Sequence, residues 1–293
     1  MNSDQFHAAR RYVETPSGRI AYVEQGSGPV ALFVHGVFMN GFLWRHVMQG
    51  IADMRRCIAP DLMSMGHTEI AQEQDISFPA QARMIAEFLD ALGLDRVDMV
   101  ANDSGGGIAQ IFAANHPRRL RTLTLTNCDT HDHWPPENAL PFAEAARAGL
   151  LDAAICQYVE NPASARVATG IGIGTAYADP SRVSNETILT YLQPLVSSER
   201  RRADINRFWN VMDNAQTASI EPQLRQLQVP TLLVWGTADI FFPLSDALWL
   251  QRTIPGVKRL IEVPGQKLFF PEEKPEALVE PMRKFWADFG RHM

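Results

Sequence analysis

Val100-Ala101-Asn102-Asp103-Ser104-Gly105-Gly106-Gly107 joins an apolar strand to a helix, and its reading decides the fold. A sharp strand-to-helix turn that presents a nucleophile is crowded. The residues two before and two after the nucleophile must therefore be small. With Asp103 at the apex those positions are Ala101 and Gly105; with Ser104 they are Asn102 and Gly106. The aspartate register fits the turn better, and the Gly105-Gly106 pair after it fits as well. Two other readings stay open: Ser104 as the nucleophile, and either residue as a plain cap on the following helix.

Outward from this turn the chain alternates strands with helices. Tyr12-Val13-Glu14 and Ile20-Ala21-Tyr22-Val23 read as a hairpin turning at Pro16-Ser17-Gly18. Val30-Ala31-Leu32-Phe33-Val34 is a continuous apolar run, suited to a strand buried on both faces. A helix is expected over 43–53, a short strand over 56–59, and a turn-rich loop over 60–68. Ala82, Ile85, Phe88, Leu89 and Leu92 mark one face of a helix over 79–93. After the central turn come a helix to about residue 115 and a strand over 120–126. The alternation implies right-handed crossovers and a parallel sheet. It stops at Trp134-Pro135-Pro136 and returns with Pro230-Thr231-Leu232-Leu233-Val234-Trp235, a helix near 244–253, a strand over 258–262 and a last helix from 276. The expected organisation is an α/β core over 1–133 and 223–293, with a helical cap over 134–222 inserted after the sixth strand. Such a cap would cover the carboxyl ends of the strands, where open α/β sheets bind ligands.

Composition narrows the function classes. A chain of 293 residues with 46% hydrophobic content can bury one large core. No run approaches the ~18 apolar residues of a transmembrane helix, so no membrane partner is expected. The start, Met1-Asn2-Ser3-Asp4-Gln5-Phe6-His7, lacks the apolar stretch of a signal peptide. Three scattered cysteines argue for a reduced, cytoplasmic setting with no disulfide framework and no zinc motif. A net charge of −6 disfavours nucleic acid as a partner. Gly170-Ile171-Gly172-Ile173-Gly174 is no phosphate loop, since no strand leads in and no Lys-Ser/Thr follows; it reads as a flexible or tightly bending lid segment. No cofactor is implied. The expected partner is a small-molecule substrate, and the protein is expected as a monomer or homodimer.

His35-Gly36, Phe42-Leu43-Trp44-Arg45, Ala59-Pro60-Asp61-Leu62-Met63, the central turn, and Trp235-Gly236-Thr237-Ala238-Asp239 are spread over both halves of the core. Together they resemble the haloalkane dehalogenase and epoxide hydrolase branch of the α/β-hydrolases. The resemblance implies an α/β-hydrolase fold, a mostly parallel eight-stranded sheet with an inserted helical cap. It also implies that Asp103 attacks carbon and forms an ester that water then cleaves. The oxyanion hole would be the backbone N–H groups of Val37 and Ser104. Asp239 falls where the triad acid orients a histidine, although Asp239 also reads as a turn aspartate. Some members place the acid after the sixth strand, where Asn127 and Asp129 lie.

The resemblance also exposes a departure. In Gly265-Gln266-Lys267-Leu268-Phe269-Phe270-Pro271-Glu272-Glu273-Lys274-Pro275 the histidine slot falls on Leu268, and leucine cannot shuttle a proton. His131 and His133 are candidate replacements; the plainer reading is two solvated histidines in an acidic loop, and a metal site there lacks a third ligand. Lys267 is expected to pair with Asp239. His35, Phe38, Asn102, Asp129, Tyr158, Tyr177 and Leu268 are expected around the substrate pocket, with His35 mainly structural and the tyrosines either epoxide-protonating groups or packed with surface hydroxyls. Dehalogenases usually follow the nucleophile with tryptophan and His-Gly with asparagine, both leaving-group donors; here Ser104 and Val37 stand there. The favoured function is an aspartate-nucleophile enzyme of this branch acting on a small apolar substrate, with a non-standard or absent base. The alternatives are a non-hydrolytic lyase, isomerase or cyclase, a ligand-binding protein, and a serine esterase on Ser104.

Overall fold

A computed structural model describes residues 1–167 and 172–290. Eight strands form one sheet: β1 Arg11–Thr15, β2 Gly18–Gln25, β3 Val30–Val34, β4 Arg56–Pro60, β5 Val97–Asp103, β6 Leu120–Cys128, β7 Thr231–Gly236 and β8 Val257–Val263. Their spatial order is β1-β2-β4-β3-β5-β6-β7-β8. The first hairpin and its junction with β4 are antiparallel, and every other pairing is parallel. β3, β5 and β7 are buried along their whole length, as continuous apolar runs in a sheet covered on both faces should be.

Helices Phe78–Ala91, Ser104–Asn115, Leu244–Thr253 and Glu276–Phe289 alternate with these strands. Ser77 caps the first of them through its side chain, and a proline follows within the first turn, where a missing N–H costs nothing. The helix expected over 43–53 is shorter: a tight turn at Gly41–Trp44 leads into a helix at Arg45–Gln49. Gly50 follows it as the C-cap, where a side chain would strike Val279 of the last helix. A short helix at Ser3–Ala8, closed by an Asn2–Gln5 capping box, was not anticipated.

Between β6 and β7 the described residues form helices and tight turns and no strand, including helices Leu140–Arg147, Leu151–Glu160, Asn185–Leu192 and Glu199–Val211. Aromatic contacts fasten this insertion to the core: Phe38, just beyond β3, meets Phe142 at 5.3 Å and Trp209 at 5.8 Å between ring centroids. Of the glycine series, Gly170 and Ile171 lie outside the described residues. Gly172 and Gly174 sit in a tight bend, since a side chain at either would strike the carbonyl of Val167 or Arg166. Among the described residues no helix is long and apolar enough to cross a membrane.

Candidate active site

The centre of the site is the end of β5. Asp103 adopts φ 58°, ψ −140° between the strand and helix Ser104–Asn115, a backbone state costing roughly 1–3 kcal/mol for a non-glycine residue. Crowding explains the glycines around it. A side chain on Gly36 would overlap the Asp103 carboxyl, one on Gly105 the His35 carbonyl, and one on Gly106 the Cys128 side chain. The first turn of the helix thus lies against the ends of both β3 and β6. Gly105→Ala is therefore expected to lower stability by about 3 kcal/mol or more, because its neighbours are backbone atoms that cannot rotate away. A urea midpoint within error of wild type would contradict this.

Asp103 is 4% exposed. Burial pushes its carboxyl up to about 7; the backbone N–H groups of Ser104 and Val37 pull it back down, and the nearby Asp239 pushes it further up. The two N–H groups expected to form an oxyanion hole therefore converge on the Asp103 carboxyl itself. Val37 N–H also donates to Ser104 Oγ at 2.9 Å. The Ser104 hydroxyl is fully buried and serves the chain turn after β3; it does not line the pocket in front of Asp103.

That pocket is a cavity of about 40 Å³ lined by fifteen residues, Val37, Phe38, Asp103, Trp209 and Leu268 among them. By volume it suits a molecule of only a few heavy atoms. A much larger cleft, about 880 Å³, lies between the N-terminal helix and the insertion, lined by His7, His67, Glu186 and Arg201 among others. It contains none of the residues at the β5 turn, so size is a poor guide here and the small cavity is the candidate site. Phe38, at φ 66°, and Asp103 are two of four non-glycine residues with positive φ among those described, and both face this cavity.

Asp239 lies three residues beyond the end of β7 and is buried. Its carboxyl accepts from the N–H groups of Phe241 (3.2 Å) and Phe242 (3.3 Å). Burial pushes it up to about 7, against those bonds and one from Asn127. Asn127 braces this corner: it accepts from Gly236 N–H (2.7 Å) and donates to the carbonyls of Gly236 (3.0 Å) and Phe242 (3.3 Å). Leu268 is 4% exposed and faces the cavity with Asp103. Its carbonyl is held by Asn102 Nδ2 at 3.0 Å, and the same amide reaches Thr126 Oγ1 at 2.9 Å.

Several expected pocket residues are placed elsewhere. His131 gives one ring nitrogen to Asp132 (2.9 Å) and the other to Glu221 (2.8 Å), and its ring packs on Trp249. His133 pairs with Asp246 at 2.9 Å, which raises its pKa. Neither lines the cavity, so the structure does not bring them to Asp103. Tyr177 is fully buried and donates to Glu272 Oε2 at 2.6 Å; its hydroxyl is neither at the surface nor in the cavity. Glu272 also pairs with Arg45 at 2.5 Å, joining the insertion to the core. Tyr158 borders a separate gap of about 10 Å³. His35 lies beneath the floor, accepting from Leu62 N–H at 2.9 Å, and burial lowers its pKa. Lys267 forms no pair with Asp239; its amine donates to the Thr175 carbonyl at 3.3 Å.

Asp129 also lies off the cavity wall, fully buried, with neither carboxyl oxygen hydrogen-bonded by a protein group. Burial first, then the Asp103 and Asp246 charges, hold its carboxyl well above the usual carboxylate range. Trp209 was missed by sequence reasoning. It is 6% exposed, lines the cavity, and its indole N–H has no protein acceptor. Its only sequence signal is an aromatic beside Phe208 in an otherwise charged helix, Glu199–Val211.

A strained acid at a strand-to-helix turn of a mostly parallel eight-stranded sheet, faced by a helical insertion, defines a hydrolase-type α/β architecture. The sequence pattern of the "alpha/beta hydrolase fold" family matches residues 29–274, and the chain belongs to the α/β hydrolase family. Haloalkane dehalogenase 2 of Mycobacterium tuberculosis is 30% identical over 280 residues, covering 92% of this chain and 91% of that one. A cis-3-alkyl-4-alkyloxetan-2-one decarboxylase of Xanthomonas campestris pv. campestris is 24% identical over 288 residues, covering 92% and 93%. The solved structure of the epoxide hydrolase CorEH superposes with a TM-score of 0.78 at 22% identity, covering 95% of this chain and 98% of that one. This last likeness speaks to the fold alone.

Proposed function

We propose that this protein is a dehalogenase-like enzyme in which Asp103 attacks the carbon of a small electrophile and forms an ester. The cavity lies at the carboxyl ends of the strands, beneath a cap formed by the insertion. The observation that carries the reading is the Asp103 carboxyl, held at a strained turn against the N–H groups of Val37 and Ser104 and facing a cavity opposite Leu268. In the ionised form one carboxylate oxygen bonds to the substrate carbon. The other becomes the ester carbonyl oxygen and keeps the two N–H donors. The carbon's leaving group departs into a cavity whose buried side-chain N–H is that of Trp209. Ester cleavage then needs water to lose a proton. Leu268 takes none, and general-base assistance typically contributes roughly 10²–10⁴-fold. The ester should therefore outlive its formation.

Intact-protein mass after exposure to haloalkanes, epoxides and activated esters tests this, beside Asp103→Asn. A stoichiometric adduct in wild type and none in the variant supports the reading. Its rate of formation should climb with pH and level off above about 7, where Asp103 is ionised. Product without any detectable adduct would overturn the stalled second step, and neither adduct nor product would overturn the nucleophile itself.

One observation favours a second reading. Loss of carbon dioxide from an oxetan-2-one, as in the Xanthomonas relative's name, yields an alkene and consumes no water. A site with leucine in the base position loses nothing needed for that overall conversion. Alkene release from a dialkyl oxetan-2-one, with haloalkanes inert, would favour it over the first reading.

A further inference from the structure

The cavity in front of Asp103 combines two features that rarely share an enclosed space. Seven of its fifteen lining residues are aromatic. Trp209 stacks between Phe142, at 5.6 Å, and Trp134, at 5.3 Å, and Phe38 leans on both Phe142 and Trp209. The single ionisable side chain on the wall is Asp103, and no lysine, arginine or histidine lines it. Two more buried carboxyls, Asp129 and Asp239, lie near enough for their charges to interact with Asp103, and neither is paired with a cation among the described residues. Arg45 is paired with Glu272, and Lys267 donates to the Thr175 carbonyl.

A buried carboxylate without a counter-charge is costly, and aromatic faces attract diffuse cations. From this juxtaposition of an aromatic wall and an unneutralised carboxylate, we propose that the pocket takes a small onium cation, an alkylated sulfonium or ammonium centre, as its electrophile. The inference rests on the Asp103 reading for its covalent step and not for binding.

The chemistry of that step fits the cavity. With a neutral haloalkane, negative charge moves from the carboxylate to the departing halide, which must then be solvated inside an apolar box. With a sulfonium, the Asp103 oxygen bonds to the alkyl carbon while the carbon–sulfur bond breaks, and its electron pair stays on sulfur. A carboxylate and a cation become a neutral ester and a neutral sulfide. Charge disappears along the reaction, so a water-poor, low-dielectric site lowers the barrier, and the departing sulfide needs no row of N–H donors. The side chains at Ser104 and Val37 supply none in the cavity, where Trp209 is the buried indole donor.

The test compares tetramethylammonium with tert-butanol, which has the same number of heavy atoms and a similar shape but no charge, at fixed ionic strength set with potassium chloride. Binding is followed by tryptophan fluorescence, since Trp134 and Trp209 line the cavity. Tetramethylammonium should bind at least about tenfold more tightly, the size expected of a desolvated cation on aromatic rings. Asp103→Asn should remove most of that preference, as should Trp134→Leu, a half-buried position that spares the core if Trp209→Leu fails to fold. Equal affinity for the two compounds, or a preference untouched by Asp103→Asn, would overturn the inference. Trimethylsulfonium then reports the covalent step as a gain of one methylene in mass. Alkylation by haloalkanes without any cation preference would sink the onium proposal and leave the nucleophile standing. Cation preference with no alkylation by any electrophile would do the reverse.

Discussion

Leu268→His should speed cleavage of the Asp103 ester by roughly 10²–10⁴-fold, the usual contribution of a positioned general base. The geometry for it is already present. Leu268 is buried and faces the same cavity as Asp103, and its backbone is pinned by Asn102. Asp239 is close enough to Asp103 for its charge to raise the Asp103 pKa. An imidazole at 268 would face the cavity that Asp103 faces, and Asp239 near Asp103 is the candidate partner for its other ring nitrogen. That partner would stabilise the imidazolium formed as water gives up its proton. The expected result is that a stoichiometric mass adduct in wild type gives way to repeated turnover in the variant. Adding Asp239→Asn to Leu268→His should take back much of the gain, because an amide cannot stabilise the cation. An adduct that persists with an unchanged lifetime in Leu268→His would show that position 268 does not limit the second step.

Asp103→Asn should stabilise the fold by an amount that grows as pH rises from about 4 to 7 and then levels off. Burial raises the Asp103 carboxyl to about 7 in the folded chain, against about 3.9 when unfolded. A group whose folded pKa is raised contributes stability that is fully present below the unfolded value. That contribution is lost as pH rises through the folded value. Between about pH 4 and 7 the folded wild type therefore holds a proton that the unfolded chain has released, and its stability falls as pH increases. Asp239 carries the same sign through the same window. Burial lowers the pKa values of His35 and His67, which titrate with the opposite sign. The two histidines are common to wild type and variant, so the difference between the two proteins reports Asp103 together with the Asp129 and Asp239 carboxyls coupled to it. A shift of this size corresponds to at most roughly 4 kcal/mol. Thermal melts should coincide near pH 4 and separate by several degrees at pH 8, with the asparagine variant higher. A gap of equal size at both pH values, or a less stable variant at pH 8, would refute the assignment. The same residue would then be the proposed reactive group and a source of instability, which is the usual cost of holding a charge in an apolar site.

The parts of this site that could be read in advance are those set by neighbours in the chain. Small residues around Asp103 signal a tight turn because sterics act over two or three residues. Apolar runs such as 30–34 and 231–235 signal buried strands because period and burial are written in consecutive positions. The break at residue 134 and the return near residue 230 marked the insertion for the same reason. The short helix at Arg45–Gln49 was overestimated, since apolar periodicity continues past Gly50 while the helix ends there.

What could not be read depends on distant segments. His131 and His133 look like spare bases at a strand end, yet their ring nitrogens are claimed by Glu221 and Asp246, 90 and 113 residues further on. Tyr177 looks like a pocket donor, and Glu272 takes its hydroxyl from across the interface between insertion and core. Trp209 sits in a charged helix and gives no local sign that it lines the same cavity as Asp103. The sequence alone determined the tight turn at Asp103 and the sheet, because each follows from short-range sterics or periodicity. Only the tertiary structure decided which side chains share the cavity, because that convergence is made by packing between elements far apart in the chain, where no local spacing records the partner.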